Sequence, residues 1–95
     1  MAETFDAVGP MLAEYAELEH RLADPALHAD PGRARTLGRR YAELGRVVSA
    51  YRLWRAADDD ARAAAELAEL DAGFAAELPV LRQAAAGAAE TLRRV

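Results

Sequence analysis

Three arginines, Arg35, Arg39 and Arg46, are the side chains of this sequence best suited to bind a charged partner. All 12 basic residues of the chain are arginine, and seven lie between residues 33 and 55, where Glu43 is the only acid. At about 100° per residue of helix, these three share the face opposite the apolar side chains. Such a row suits contact with phosphates. An ordinary solvated face has the same pattern, so both interpretations stay open.

The other reactive side chains match no catalytic or metal-binding pattern. The chain has no cysteine, so it has neither a disulfide nor a thiolate site. His20 and His28 are eight residues and a loop apart, unlike the i, i+4 histidine pair of zinc helices. The few hydroxyl residues lie in no nucleophile motif, and no glycine-rich phosphate loop is present. The sequence therefore predicts no enzyme activity, no cofactor and no metal.

The aromatic residues argue against base-specific binding of nucleic acid. Tyr41 and Tyr51 recur at helical spacing among apolar residues, and Trp54 follows them. Aromatics at this spacing belong to a core more often than to a base-stacking surface. We therefore expect no DNA partner, and any RNA contact should be to the backbone and sensitive to salt.

The first 14 residues, MAETFDAVGPMLAE, contain acids and no basic segment of the kind that begins a signal peptide. No apolar run approaches the roughly 18 residues that a membrane helix needs. We therefore expect a soluble, cytoplasmic chain with no membrane contact.

The first helix is predicted from about Phe5 to Ala23. Gly9-Pro10 interrupts its first turns, so a start or a kink at Pro10 is expected. Asp24-Pro25 ends it, because a residue before proline avoids the helical region. Its apolar stripe alternates spacings of three and four and comprises Val8, Met11, Tyr15, Leu18 and Leu22.

The second predicted helix runs from Pro31 to about Ala57, with Asp30 as its N-cap. Arg33, Arg40 and Arg52 flank its stripe and are expected to face neighbouring helices. Their candidate acidic partners are Glu14, Glu17, Glu66 and Glu69. The stripe itself comprises Ala34, Leu37, Tyr41, Leu44, Val48 and Tyr51.

Two further helices are predicted after the run Asp58-Asp59-Asp60, whose carboxylates suit a helix N-terminus. The third is short, from Ala61 to about Leu70, and the fourth begins near Ala72. Pro79 predicts a kink or a late start near Glu77. The stripe continues to Val95 without a cap, which predicts that the natural protein continues. It comprises Phe74, Leu78, Leu81, Ala85, Ala88, Leu92 and Val95.

These elements predict an all-α fold, either an antiparallel helical bundle or an elongated helical hairpin of about four helices. Alanine accounts for 25 of the 95 residues, and only eight residues are valine or threonine, with no isoleucine. This composition favours helices over sheets. The length predicts one helical domain spanning residues 1–95.

A set of residues between Leu22 and Leu81 recurs in a characteristic order and spacing. It comprises Leu22-Ala23-Asp24-Pro25, Asp30, Arg40-Tyr41-Ala42-Glu43-Leu44, Val47, Tyr51, Trp54, Asp59, Glu66-Leu67, Asp71 and Phe74. In these residues the sequence resembles the N-terminal domain, domain 1, of bacterial peptide chain release factor 1. The opening FDAVGPMLAEYAELEHRLADP is similar to the first helix of actinobacterial members.

The resemblance implies a role in translation termination at UAA or UAG, in positioning rather than catalysis. The family's stop-codon tripeptide and its Gly-Gly-Gln motif do not occur in these 95 residues, so the chain should not release peptide by itself. The implied partners are the ribosome, at the stalk base of the large subunit, the release-factor GTPase and the glutamine methyltransferase. Arg35, Arg39 and Arg46 are the candidate contacts with the ribosome or a partner.

The alternative is a stand-alone helical protein-interaction module without release activity. Self-association is compatible with both hypotheses, since an isolated domain exposes apolar area that other parts of a protein cover.

Overall fold

A computed structural model describes residues 5–95 of the chain. Within this range it contains α-helices, one short 3₁₀ helix and no strand, which confirms the all-α prediction. Three α-helices are present in this range, one fewer than the approximate number of four predicted. In chain order the elements are α1 (Val8–Leu22), the 3₁₀ helix (Pro25–Ala29), α2 (Pro31–Ala68) and α3 (Ala72–Arg94).

The chain divides into two compact units, and α2 contributes to both. The first unit ends at Ser49 and the second begins at Ala50. The first therefore contains α1, the 3₁₀ helix and the start of α2. The second contains the rest of α2 and α3.

In the first unit, α1 and α2 pack antiparallel. Tyr15 of α1 lies against Gly45 of α2, whereas Glu19, one turn later in α1, reaches Tyr41, one turn earlier in α2. The predicted stripes face inward: none of their members in this unit is exposed. The buried apolar residues of the unit are Val8, Leu18, Leu44 and Val48.

Two aspartates shape the connection between α1 and α2. Asp24 Oδ1 accepts a hydrogen bond from the Ala26 amide at 2.9 Å and begins the 3₁₀ helix. Asp30 Oδ1 accepts one from the Arg33 amide at 3.2 Å, which confirms Asp30 as the predicted cap of α2. Both aspartates satisfy amides that lack an intrahelical partner.

The predicted break at Asp58-Asp59-Asp60 is wrong, because α2 continues through it to Ala68. Neither glycine nor proline occurs between residues 46 and 68 to end the helix. Two of the aspartates pair with arginines one turn away, Asp58 with Arg62 at 2.8 Å and Asp59 with Arg55 at 3.6 Å. Such i, i+4 pairs favour helix and offset the modest helix propensity of aspartate.

The helix α3 begins at Ala72, so the predicted late start near Glu77 is wrong. Asp71 caps it, with Oδ1 2.7 Å from the Gly73 amide. Pro79 lies inside the helix and has no amide to donate to the preceding turn. Val95 follows the helix and is 52% exposed, so the predicted stripe ends at Leu92.

Alanine forms much of the core in the second unit. Ala61 and Ala64 are buried on α2, and Ala85 and Ala89 are buried on α3. Trp54 is the large buried side chain near the start of the unit, at 5% exposure. Small core side chains permit a short distance between packed helices. Along residues 5–95, no helix has the length and apolar character needed to cross a membrane.

Candidate docking surface

Arg35, Arg39 and Arg46 are exposed on α2 within the first unit, as the sequence predicts. None of them forms an ion pair or a side-chain hydrogen bond with another residue in the range 5–95. On a helix their spacing of four and seven residues places them in one row about 16 Å long. Leu44 and Val48 are buried on the opposite side of the helix. Three unpaired guanidinium groups therefore face solvent together.

Small residues lie along one flank of these arginines on α2, and Glu43 lies on the other flank. By helical period the small residues include Gly38, Ala42 and Ser49. A Cβ added at Gly38 would meet no atom within 4 Å. We call Arg35, Arg39 and Arg46, with these three small residues, the arginine face.

Arg40 points away from the arginine face and joins α2 to α1. Its Nε lies 2.7 Å from Glu14 Oε2 and its Nη2 lies 2.9 Å from Glu14 Oε1. Its Nη1 also lies 3.5 Å from Glu43 Oε2. The hydrogen bond from Arg40 lowers the pKa of Glu14, and the hydrogen bond to Glu14 raises the pKa of Arg40. This pair is one of those predicted from the sequence.

The partners suggested for Arg33 and Arg52 are not found among the described residues. Neither arginine forms an ion pair there, and Glu66 and Glu69 also have none. Glu17 pairs instead with Arg21 of its own helix, at 3.2 Å. Glu17 and Arg21 are four residues apart, a spacing that makes side chains neighbours on one helix.

Two stacked tyrosines fix α1 against α2 below the arginine face. The rings of Tyr15 and Tyr41 lie 4.4 Å apart and 11° from parallel. The Tyr41 hydroxyl donates to Glu19 Oε1 at 3.2 Å. Hydrogen bonding with Tyr15, followed by partial burial and Glu19, raises the pKa of Tyr41 to about 12. The stack and the Arg40–Glu14 pair set which side of α2 remains open to a partner.

The profile of the PCRF domain matches residues 11–95. The chain belongs to the PCRF domain family.

The relatives that this PCRF domain matches include peptide chain release factor 1 from three actinobacteria. That of Kineococcus radiotolerans is 68% identical over 96% of this chain and 26% of its own length. That of Acidothermus cellulolyticus is 60% identical over 94% of this chain and 24% of its own length. That of Leifsonia xyli is 48% identical over 96% of this chain and 25% of its own length.

This PCRF domain spans about a quarter of the length of the curated relatives it matches, and corresponds to their N-terminal region. The resemblance identified in the sequence is therefore confirmed. No solved structure matches the chain.

The described part of the PCRF domain contains no group of three or more histidines, aspartates or glutamates placed to hold a metal. His20 and His28 are both exposed. An open depression of about 500 Å³ lies where α1, the 3₁₀ helix and α2 meet. Its lining aspartates, Asp24 and Asp30, are occupied in binding backbone amides.

The sequence did not lead us to predict the hydrogen bond from the Tyr41 hydroxyl to Glu19, which joins α2 to α1 in this PCRF domain. The sequence contains a pattern that indicates contact between these helices: Tyr15 and Tyr41 each lie on an apolar stripe, and Gly45 lies one turn after Tyr41. A glycine there leaves room for a ring from the opposite helix: an added Cβ would lie 3.6 Å from Tyr15 Cε1.

Proposed function

We propose that the chain is the N-terminal domain of a class I peptide chain release factor and acts in translation termination at UAA or UAG. The observation that carries this proposal is the 68% identity to peptide chain release factor 1 of Kineococcus radiotolerans over 96% of the chain. The match of the PCRF domain to residues 11–95 also supports it. The site of action would be the cytoplasm, where ribosomes terminate.

The role we propose for the domain is positioning rather than catalysis. Peptide release would be carried out by the parts of the factor that contain the stop-codon tripeptide and the Gly-Gly-Gln motif, which these 95 residues lack. The arginine face would bind the ribosome near the stalk base of the large subunit. Its three unpaired, exposed arginines support this assignment. The release-factor GTPase and the glutamine methyltransferase are further partners of the factor in this proposal.

A domain exchange tests the proposed function. The matching segment of the Kineococcus radiotolerans factor is replaced by this chain, and peptide release is measured on ribosomes paused at UAA or UAG. We expect the hybrid to release peptide at a rate close to that of the parent factor, while the 95-residue chain alone releases none. The comparison protein is the parent factor with the same segment deleted. A hybrid that folds but is no faster than the deletion protein contradicts the proposal.

The size of the gene product distinguishes this proposal from a stand-alone interaction module. An antibody against the chain is used on a lysate of the source cells. The proposal predicts one band several times larger than the 10.2 kDa of this chain. A band near 10 kDa contradicts it and supports the stand-alone module.

A further inference from the structure

We infer that the arginine face binds the phosphate backbone of double-stranded RNA. The inference concerns the partner of the surface assigned above, and its place in termination rests on the proposed function. The inferred ligand is the row of phosphates along a duplex, and no base sequence is specified.

The charges of the arginine face fit a polyanion. Arg35, Arg39 and Arg46 are exposed and have no partner within residues 5–95. Glu43, the nearest acid along the helix, is held by Arg40, at 3.5 Å. Guanidinium groups bind phosphate oxygens through paired N–H donors, and binding releases counterions from the nucleic acid. No internal ion pair must first be broken for these three side chains to do so.

The shape of the arginine face fits a regular backbone. The row is about 16 Å long, enough to lie along several successive phosphates of one strand. On one flank of the row, Gly38, Ala42 and Ser49 have small or no side chains, and on the other flank Glu43 lies 3.5 Å from Arg40. The helix can therefore lie close to the phosphates, so that short-range hydrogen bonds form along the whole row.

The absence of aromatic residues from the arginine face argues against single-stranded RNA, which is held largely by bases stacked on aromatic rings. The aromatic residues of this part of α2 lie elsewhere: Tyr41 is stacked on Tyr15 against α1. Duplex RNA requires no stacking surface, because it is recognised by shape and through its phosphates. Leu53, seven residues after Arg46 on α2, is 68% exposed, so competition by poly-glutamate tests an acidic protein as the alternative partner.

The experiment measures binding of the 95-residue chain to a fluorescent RNA duplex of arbitrary sequence and about 20 base pairs, longer than the arginine face. Affinity is followed from about 50 to 200 mM salt, where phosphate contacts weaken measurably. Three contacts predict a slope of log affinity against log salt of about −2 to −3. Single-stranded RNA of equal length and poly-glutamate serve as competitors.

The test variant carries Arg35→Gln, Arg39→Gln and Arg46→Gln. The matched control carries Arg33→Gln, Arg52→Gln and Arg82→Gln, which remove the same charge and break no ion pair among the described residues. We expect the test variant to bind about tenfold more weakly at low salt and to lose most of the slope. We expect the control to remain within about twofold of the unaltered chain. Equal losses in the two variants overturn the inference.

A second variant, Ala42→Leu, tests the close approach without changing charge. We expect weaker duplex binding, whereas Ala63→Leu, at an exposed position of the second unit, should leave binding unchanged. Helix content by circular dichroism confirms that each variant is folded. Unchanged binding of folded Ala42→Leu overturns the inference, as does stronger competition by poly-glutamate or single-stranded RNA than by unlabelled duplex.

The two proposals can fail separately. The binding assay contains neither ribosomes nor a stop codon, and the domain exchange measures peptide release without reference to isolated RNA. Loss of release with intact duplex binding contradicts the proposed function alone. Intact release without duplex binding contradicts the RNA assignment alone.

Discussion

Arg40 and Glu14 join the two helices of the first unit through two parallel hydrogen bonds, of 2.7 and 2.9 Å. Both side chains are partly exposed, so solvent weakens the pair. The pair matters because it orients α2 relative to α1. By holding one side of α2 to α1, it leaves the arginine face on the other side open.

The Arg40–Glu14 pair should make stability depend on pH. Because the pKa of Glu14 is lowered from its ordinary 4.5, its ionised form is favoured in the folded state. The stabilisation is present above pH 4.5 and is lost as the pH falls through the lowered pKa. We expect Glu14→Gln to lower the urea midpoint near neutral pH and the difference from the unaltered chain to shrink in acid. Glu69→Gln, which disturbs no ion pair in the described range, is the control, and a difference that grows in acid contradicts the assignment.

Tyr41 should produce a second pH dependence, at the alkaline end. Its pKa is raised from 10.0 to about 12, so folding favours the protonated phenol. The stabilisation is present below pH 10 and is lost between pH 10 and about 12. Tyr41→Phe retains a ring to stack on Tyr15 but has no hydroxyl to titrate. We expect its urea midpoint to fall less than that of the unaltered chain over this range; parallel curves contradict the hydrogen-bond assignment.

Leu44 is 2% exposed, so its truncation should open a cavity in the first unit. We expect Leu44→Ala to lower the free energy of unfolding by about 2–5 kcal/mol. Leu53→Ala is the matched change at a 68% exposed position and should cost less than about 0.5 kcal/mol. Urea unfolding followed by circular dichroism measures both. A loss below about 0.5 kcal/mol for Leu44→Ala would show that this face of α2 is not the core.

Gly87 lies exposed inside α3, and a Cβ added there would meet no atom within 4 Å. Alanine has higher helix propensity because it loses less backbone entropy on folding. We expect Gly87→Ala to stabilise the protein by up to about 1 kcal/mol, measured as a higher urea midpoint. A lower midpoint contradicts the helical environment described for this residue.

The sequence predicts the fold class because apolar residues recur every three or four positions. This periodicity predicts the inward faces of α1 and α2 in the first unit, where Leu18, Leu44 and Val48 are buried. It does not predict helix ends as well. Three successive aspartates suit a helix start, yet two of them pair with Arg55 and Arg62 inside a continuous helix.

The candidate surface is predicted in part. Helical geometry alone places Arg35, Arg39 and Arg46 on the side facing solvent, and it places Arg40 toward α1. Helical geometry does not predict which acidic residue pairs with Arg40, because the pairing depends on the register between two helices. The stacking of Tyr15 on Tyr41 helps to set that register, and no pattern within a single helix contains this information.

The most direct test of docking through the arginine face is co-sedimentation of the chain with ribosomes at low and high salt. Three proteins are compared at equal concentration. The first is the unaltered chain. The first variant carries Arg35→Gln, Arg39→Gln and Arg46→Gln, and the matched variant carries Arg33→Gln, Arg52→Gln and Arg82→Gln. We expect salt-sensitive binding of the unaltered chain and the matched variant, and clear loss of binding in the first variant. Equal binding of all three proteins, with the same salt dependence, would contradict docking through the arginine face.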